Sequence, residues 1–215
     1  LTVTDQSGNR LSLTDKGNGK HTFTMPAGKV SVDTTFAKIE TTINFRDVKQ
    51  SAYYYDAVKW AVEKGITEGT SATTFSPNVS CTRAQMVTFL WRAAGSPVPK
   101  STNNPFKDIS STDYFYNAVL WAVENDITTG TGADTFSPTA KVNRAQTVTF
   151  LYRVAGSPAS GSSSFSDVPE SAYFAKAVAW ADANDITNGT SNVKFSPNAD
   201  CTRGQIVTLL YRANS

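Results

Sequence analysis

The 215-residue chain is 40% hydrophobic and only 18% charged, it contains 28 threonines and 22 serines, and its formal net charge at pH 7 is +2. This composition predicts one domain, or one domain with a further segment, that has a core and a polar, weakly charged surface. Basic and acidic residues balance, which argues against nucleic-acid binding, and no apolar run approaches the ~18 residues of a membrane span.

The inventory of reactive side chains is small. The chain has one histidine, His21, and two cysteines, Cys81 and Cys201. These residues are too few for the usual His/Cys zinc sites, and His21 stands far from any nucleophile motif that a Ser-His-Asp triad would need. We therefore expect no metal, no cofactor and no catalytic triad. Because the chain begins with Leu1 and no export signal, we interpret it as a piece of a longer polypeptide.

The N-terminal segment, residues 1–42, has a strand pattern. Residues 1–4, 20–25 and 29–36 alternate with period two, and Pro26-Ala27-Gly28 predicts a turn between the last two stretches. So few strands are a poor independent domain. We interpret the segment as the end of a β-sandwich-like domain.

The rest of the chain is a threefold repeat with offsets of 61 and then 59 residues. We delimit the copies as 43–98, 99–159 and 160–215. Each copy contains Phe-x-Asp-Val/Ile, a tryptophan, Gly-Thr, Phe-Ser-Pro and an arginine. The recurring residues that carry chemistry are Asp47, Asp108 and Asp167; Trp60, Trp121 and Trp180; Gly69, Gly130 and Gly189; and Arg83, Arg144 and Arg203.

Each copy is predicted to be a helix, a loop and a second helix. The first helix of copy one is expected to begin near Ser51, as an N-cap, and to end near Gly65, where Asp126 and Asp185 stand in the later copies. The second helix of each copy opens with a capping box, in which the N-cap residue is followed three positions later by Gln. The capping boxes pair Thr82 with Gln85, Asn143 with Gln146, and Thr202 with Gln205. The second helices are apolar on most sides, so we expect them at the centre of one shared core.

The arginine that opens each second helix suggests an anion site. A cation in the first turn opposes the helix macrodipole, at a cost of about 0.3–1 kcal/mol. An anion shared by the arginine and the free helix-start amides would reverse that sign, and a planar guanidinium suits a carboxylate. Two alternatives stay open: a solvated charge, and an intramolecular partner among Asp47, Asp108 and Asp167.

The other recurring residues have two interpretations each. The aspartates can cap backbone amides or bind sugar hydroxyls and orient the arginines. The tryptophans fit a core position or a flat platform for a sugar ring, and the glycines fit loop geometry or close ligand approach. A glycosidase needs two carboxylates, but only one acidic position recurs. Cys81 and Cys201 share a place that Val142 fills in copy two, which predicts buried free thiols.

The motif series Phe-x-Asp-Val, Ala-Val-x-Trp, Gly-Thr, Phe-Ser-Pro and Thr-Arg-Ala-Gln resembles the S-layer homology domain over residues 43–215. The stretch from Phe23 to Gly28 resembles the end of a bacterial immunoglobulin-like surface repeat. The resemblance implies a mainly α fold, with three repeats in a pseudo-threefold helical spindle after a short β segment.

The resemblance also implies a function. Such triplets are non-catalytic anchors that hold exported proteins to secondary cell-wall polysaccharide, often bearing pyruvate ketals, at the cell wall or S-layer of a bacterium. It implies glycan contacts from the recurring arginines, aspartates, tryptophans and glycines and from Gln85, Gln146 and Gln205. The family usually has Glu at that last place. We expect a monomer with no membrane span and no enzymatic activity. The alternative is a protein–protein scaffold module, which an exposed apolar patch would indicate.

Overall fold

The computed structural model describes residues 1–17, 19–34 and 42–215. Two compact units lie within Leu1–Glu40 and Thr41–Ser215. The repeat bounds 43–98, 99–159 and 160–215 stay a prediction, as does the end of the first segment at residue 42. No helix in the described ranges is long and apolar enough to cross a membrane.

The N-terminal unit contains two small antiparallel sheets. β1 (Thr2–Asp5) pairs with β4 (Val30–Asp33), and β2 (Thr14–Asp15) pairs with β3 (His21–Thr22). The strand predicted over 20–25 is shorter than expected, since residues 23–25 are not in a strand. The predicted strand end at Thr35 and Phe36 lies outside the described residues.

The repeat unit contains six α-helices, two in each copy. They are α1 (Tyr55–Glu63), α2 (Arg83–Ala93), α3 (Tyr116–Glu124), α4 (Arg144–Val154), α5 (Ala175–Ala183) and α6 (Arg203–Arg212). The predicted capping boxes of α2, α4 and α6 are confirmed, because at each helix start the Thr or Asn side chain accepts from the Gln backbone amide and the Gln side chain accepts from the N-cap backbone amide. The mainly helical fold with three repeats is confirmed.

The predicted start of the first helix was wrong. Ser51 does not cap α1, which begins four residues later, at Tyr55, without a side-chain cap. Two consecutive turns occupy the intervening residues, with the Ala52 amide bonded to the Lys49 carbonyl and the Tyr55 amide bonded to the Ala52 carbonyl. The predicted ends were right: Gly65, Asp126 and Asp185 have φ of +67°, +57° and +56°.

The main helix pairs join different repeats. α2 packs against α3 of the next repeat, α4 packs against α5, and α6 returns to pack against α1. Among the described helices, the two helices of one repeat do not pack directly on each other. The second helix of each repeat therefore packs on the first helix of the next repeat, and the contact between α6 and α1 joins the last repeat to the first.

The second helices meet at the centre, as predicted. α2, α4 and α6 contact one another. Beside them, three backbone hydrogen bonds of 2.9 Å form a ring through Cys81, Val142 and Cys201, in which each residue donates to one neighbour and accepts from the other. All three side chains are fully buried. This ring marks the pseudo-threefold axis.

Candidate functional site

Three equivalent grooves lie between the repeats. We number each groove by the repeat whose Thr-x-Gly loop lines it. Groove 1 has a volume of about 390 Å³, groove 2 about 400 Å³ and groove 3 about 310 Å³. Each groove takes residues from all three repeats, because its base comes from the preceding repeat and one rim from the following one. Groove 1 thus contains Arg203 and Tyr114, groove 2 contains Arg83 and Tyr173, and groove 3 contains Arg144 and Tyr53.

The arginine at the base of each groove is buried against the neighbouring repeat. Arg83, Arg144 and Arg203 are only 3–5% exposed. Nε of Arg83 donates to the Phe136 carbonyl at 2.9 Å, and its guanidinium lies 4.9 Å from the centre of the Phe136 ring. Arg144 makes the same contacts with Phe195, and Arg203 makes them with Phe75. Each arginine therefore has a structural role, with a carbonyl as partner and not the aspartate considered from the sequence.

The outer nitrogens of these arginines are poorly satisfied. Nη2 of Arg83 and of Arg144 reach a threonine hydroxyl only at 3.5 Å. Nη2 of Arg203 is buried and has no hydrogen-bond partner among the described residues. Burial also lowers the pKa of all three guanidinium groups, and the nearby aspartates do not offset this desolvation. An acceptor from outside would satisfy these donors.

The helix-start amides are occupied, which corrects the mechanism inferred from the sequence. The Arg83 amide donates to the Ala140 carbonyl at 2.9 Å, and the Ala84 amide donates to the Pro138 carbonyl at 3.0 Å. The next amide belongs to the capping box. The same pattern recurs at α4 and α6. At these helix starts an anion in the groove therefore meets side chains and not free backbone amides.

A second arginine and a glutamine complete the donor set of each groove. Arg92, Arg153 and Arg212 stand near the ends of the second helices and donate to carbonyls of Ile66, Ile127 and Ile186. The capping glutamine accepts through Oε1 from the N-cap amide, so its Nε2 is a donor on the groove side. Gln85, Gln146 and Gln205 line grooves 1, 2 and 3.

A tyrosine forms one rim of each groove. Tyr53, Tyr114 and Tyr173 are 64–66% exposed, and each packs edge-on against the next aromatic residue at 4.9–5.1 Å. Partial desolvation raises the pKa of all three phenols, which are protonated at neutral pH even without this shift. A ring with one open side and a hydroxyl donor suits contact with a sugar.

The recurring aspartates bind loop amides and line none of the three grooves. Asp47 accepts from the Phe75 amide at 2.9 Å and from the Ser76 amide at 2.7 Å. Asp108 holds Phe136 and Ser137 in the same way, and Asp167 holds Phe195 and Ser196. Of the two interpretations, the structure places the aspartates on backbone amides, although these belong to the Phe-Ser-Pro loop and not to a helix start.

The tryptophans lie in helix interfaces, outside the lining of the grooves. Trp121 and Trp180 are 7% and 9% exposed, and half-buried Trp60 packs against the core. The Trp60 ring lies 5.5 Å from Tyr211, and the Trp180 ring lies 5.7 Å from Tyr152. Their position matches the packing interpretation.

The glycines of the loops do line the grooves. Gly69, Gly130 and Gly189 have φ of +91°, +88° and +71°. A Cβ on Gly130 would lie 2.5 Å from both the Phe106 ring and the Thr135 carbonyl. Loop geometry thus requires glycine here, while its backbone also borders the groove.

Sequence reasoning missed the rim tyrosines and the second arginines. The signal was available, because Tyr53 and Arg92 recur with the same 61- and 59-residue offsets as the motifs. Taken together, each groove has two guanidinium groups, an amide, hydroxyls and one aromatic face. That combination suits an anionic sugar.

A family model for the S-layer homology domain matches residues 44–87, 105–148 and 164–207. An endoglucanase from Bacillus sp. (strain KSM-635) is 31% identical over 182 residues, which cover 80% of this chain and 19% of the endoglucanase. The surface-layer 125 kDa protein of Lysinibacillus sphaericus is 25% identical over 206 residues, which cover 93% of this chain and 17% of that protein. A cell surface protein of Thermoanaerobacter kivui is 30% identical over 139 residues, which cover 59% of this chain and 18% of that protein. The matched region therefore spans less than a fifth of each relative.

Proposed function

This chain belongs to the S-layer homology domain family of bacterial cell-surface anchors, and we propose that it holds its parent protein non-covalently to an anionic, pyruvylated secondary cell-wall polysaccharide. The relatives carry names as different as an endoglucanase and a surface-layer protein. The proposed role of this chain is attachment, and any catalytic activity would belong to other parts of the parent protein.

The unmet arginine donors carry the proposal. Nη2 of Arg203 is buried without a partner among the described residues, and its counterparts on Arg83 and Arg144 have contacts only at 3.5 Å. A buried, unsatisfied charged donor costs ~1–3 kcal/mol or more. An oxygen of the glycan would accept from these atoms. Where that oxygen belongs to the carboxylate of a pyruvate ketal, the second arginine lies on its other side and the sugar ring lies against the rim tyrosine.

The scaffold alternative receives less support. It predicts a contiguous exposed apolar patch. In the described part of the repeat unit, the large exposed apolar residues include the three rim tyrosines and four valines spread over all three repeats. These valines are Val79, Val98, Val154 and Val193.

The test is binding to purified cell-wall sacculi, before and after mild acid removes the ketals. Arg153→Gln in groove 2 and Arg212→Gln in groove 3 each remove one guanidinium while leaving the base arginines in place. We expect about 10- to 100-fold weaker binding at each altered groove, the size of one lost hydrogen bond to a charged group. Arg46→Gln is the matched control, because Arg46 is exposed and lines no groove.

Two outcomes would contradict the proposal. One is equal binding of the wild type to treated and untreated sacculi. The other is unchanged affinity in the Arg153→Gln, Arg212→Gln double variant while Arg46→Gln also behaves as wild type.

A further inference from the structure

The three grooves differ in charge at one lining position, the residue between Thr and Gly in the loop. This position is Glu68 in groove 1, Thr129 in groove 2 and Asn188 in groove 3. All three side chains are exposed. The difference is one of charge, since only Glu68 is a carboxylate. The other difference is apolar, with Phe89 in groove 1, Phe150 in groove 2 and Leu209 in groove 3.

The loops hold this position in the same geometry. In each loop the glycine amide donates to the hydroxyl of the threonine two residues earlier, at 3.1 Å in groove 1 and 3.2 Å in grooves 2 and 3. The glycine has a positive φ in all three. The three side chains therefore start from equivalent points on the groove rim.

The residue at this position determines the formal charge of the side chains that line each groove. Grooves 2 and 3 each contain two arginines and no carboxylate. Groove 1 contains Arg92, Arg203 and Glu68, so its formal lining charge is one unit lower. Groove 1 is also where an arginine nitrogen, Nη2 of Arg203, has no partner among the described residues. Glu68 brings to groove 1 the negative charge that a ligand carboxylate would bring to grooves 2 and 3, while Nη2 of Arg203 still needs an acceptor, which a neutral sugar oxygen can supply.

We propose that Glu68 is a specificity-determining residue that turns groove 1 away from carboxylates and toward an uncharged, hydroxyl-rich sugar, while grooves 2 and 3 bind the carboxylate. This inference rests on the proposed function and deepens it. The chain binds two anionic sugar residues with similar affinity, and the sugar that enters groove 1 carries no charge. A carboxylate accepts from sugar hydroxyls but repels a second carboxylate, so one residue gives both effects.

The test uses the whole chain and a methyl hexoside that bears a 4,6-linked pyruvate ketal. Its methyl ester is the uncharged counterpart. Glu68→Gln removes the charge with little change in shape, and Thr129→Glu transfers the charge to groove 2. Glu63→Gln is the control, because Glu63 is an exposed carboxylate at the end of α1 and lines no groove.

Isothermal titration with the acid should give two tighter sites and one weaker site for the wild type and Glu63→Gln, three tighter sites for Glu68→Gln, and one tighter and two weaker sites for Thr129→Glu. The affinity change at the altered groove should be about fivefold, as for one unit charge across an exposed groove, and should shrink with added salt. With the methyl ester, Glu68→Gln should gain nothing.

The failures are distinguishable. If the wild type binds the acid but Glu68→Gln and Thr129→Glu leave site number and affinity unchanged, the assignment of Glu68 is wrong and the proposed function stands. If the wild type binds the acid no better than the ester, the proposed anionic ligand fails, and the inference fails with it.

Discussion

At the residue scale, each recurring aspartate holds a strained loop in place. Asp108 accepts two amide hydrogen bonds from Phe136 and Ser137, and Ser137 has φ of +58°, a conformation uncommon for a residue with a side chain. The Thr131 hydroxyl contacts the Ser137 hydroxyl at 2.7 Å from the other side. Because Phe136 is fully buried and its carbonyl binds Arg83, the aspartate indirectly positions the base of groove 2.

In repeat 3, the same pair of amide hydrogen bonds to Asp167 makes the free energy of unfolding depend on pH. Burial alone would raise the pKa of Asp167, but the amides of Phe195 and Ser196 outweigh it and lower the pKa from 3.8. A depressed pKa contributes stability that is complete above the unfolded value and disappears as the pH falls through the folded value. Asp167→Asn should lose about 1–3 kcal/mol of unfolding free energy at pH 7.

Urea unfolding from pH 7 down to pH 2 measures this effect. The difference between wild type and Asp167→Asn should narrow below about pH 4, where the carboxylate begins to protonate in the unfolded chain, and should be smallest once the pH falls below the lower pKa of the folded state. A difference that stays constant over the whole range would assign the loss to shape and not to the charge-assisted hydrogen bonds.

The two cysteines are the other residues with a testable ionisation. Burial raises the pKa of Cys81 to about 12 and that of Cys201 to about 11. The thiolate is the reactive form, so iodoacetamide at pH 8 should leave the native protein unmodified and add two labels after unfolding without reductant. Intact mass measures both states. No label on the unfolded chain would mean a disulfide, contrary to the free thiols of the structure.

The arginines illustrate how far the sequence predicts a residue's role. The repeat pattern predicted Arg83 at a helix start, and the structure places it there. Its partner, the Phe136 carbonyl, lies 53 residues away in the next repeat. Helix-start rules consider local groups only, so they predicted free amides at the start of α2. In the structure, carbonyls of the neighbouring repeat accept from these amides. The contribution of tertiary contacts between repeats could not be predicted from local pattern.

At the scale of elements, the Thr-x-Gly loop depends on a glycine that two constraints require. Gly130 has φ of +88°, and a Cβ there would meet two groups at 2.5 Å. Gly156 at the end of α4 has φ of +81° but nothing within 4 Å of a built Cβ. A comparison of Gly130 with Gly156 therefore distinguishes the cost of the left-handed conformation from the cost of steric overlap.

Gly156→Ala should therefore lose about 1 kcal/mol of unfolding free energy, for the left-handed conformation alone. Gly130→Ala should lose about 3 kcal/mol or more, because the Phe106 ring must also move. Chemical denaturation of the two variants gives the comparison. Equal losses would show that the loop relaxes freely and that Gly130 is not fixed by packing.

Helix ends were predictable where their signal was local. The capping boxes of α2, α4 and α6 and the ends at Gly65, Asp126 and Asp185 need only neighbouring residues, and they were predicted correctly. The start of α1 has no side-chain cap, so Ser51 misled the prediction. Two consecutive turns precede Tyr55 there.

At the scale of the whole repeat unit, the order of packing is circular. α2 packs on the first helix of repeat 2, α4 packs on that of repeat 3, and α6 packs on that of repeat 1. The terminal repeats are therefore not caps, unlike those of an open solenoid. The Trp60 and Tyr211 rings, 5.5 Å apart, belong to the contact that joins the last helix to the first.

A closed ring of three makes two opposite predictions for two rearrangements. Deleting residues 99–159 removes α3 and α4, so α2 and α5 lose their main partners, and the remaining chain should not give a cooperative melting transition. A circular permutant of residues 42–215, with the old ends linked by a short Gly/Ser segment and new ends opened in the connector at 160–162, keeps all six helices and every pair. It should melt in one transition within a few degrees of the uncut repeat unit. Calorimetry decides both cases. Two independent transitions from the deletion variant would mean that single repeats fold alone, and an unfolded permutant would mean that the α6–α1 closure is not equivalent to the other interfaces.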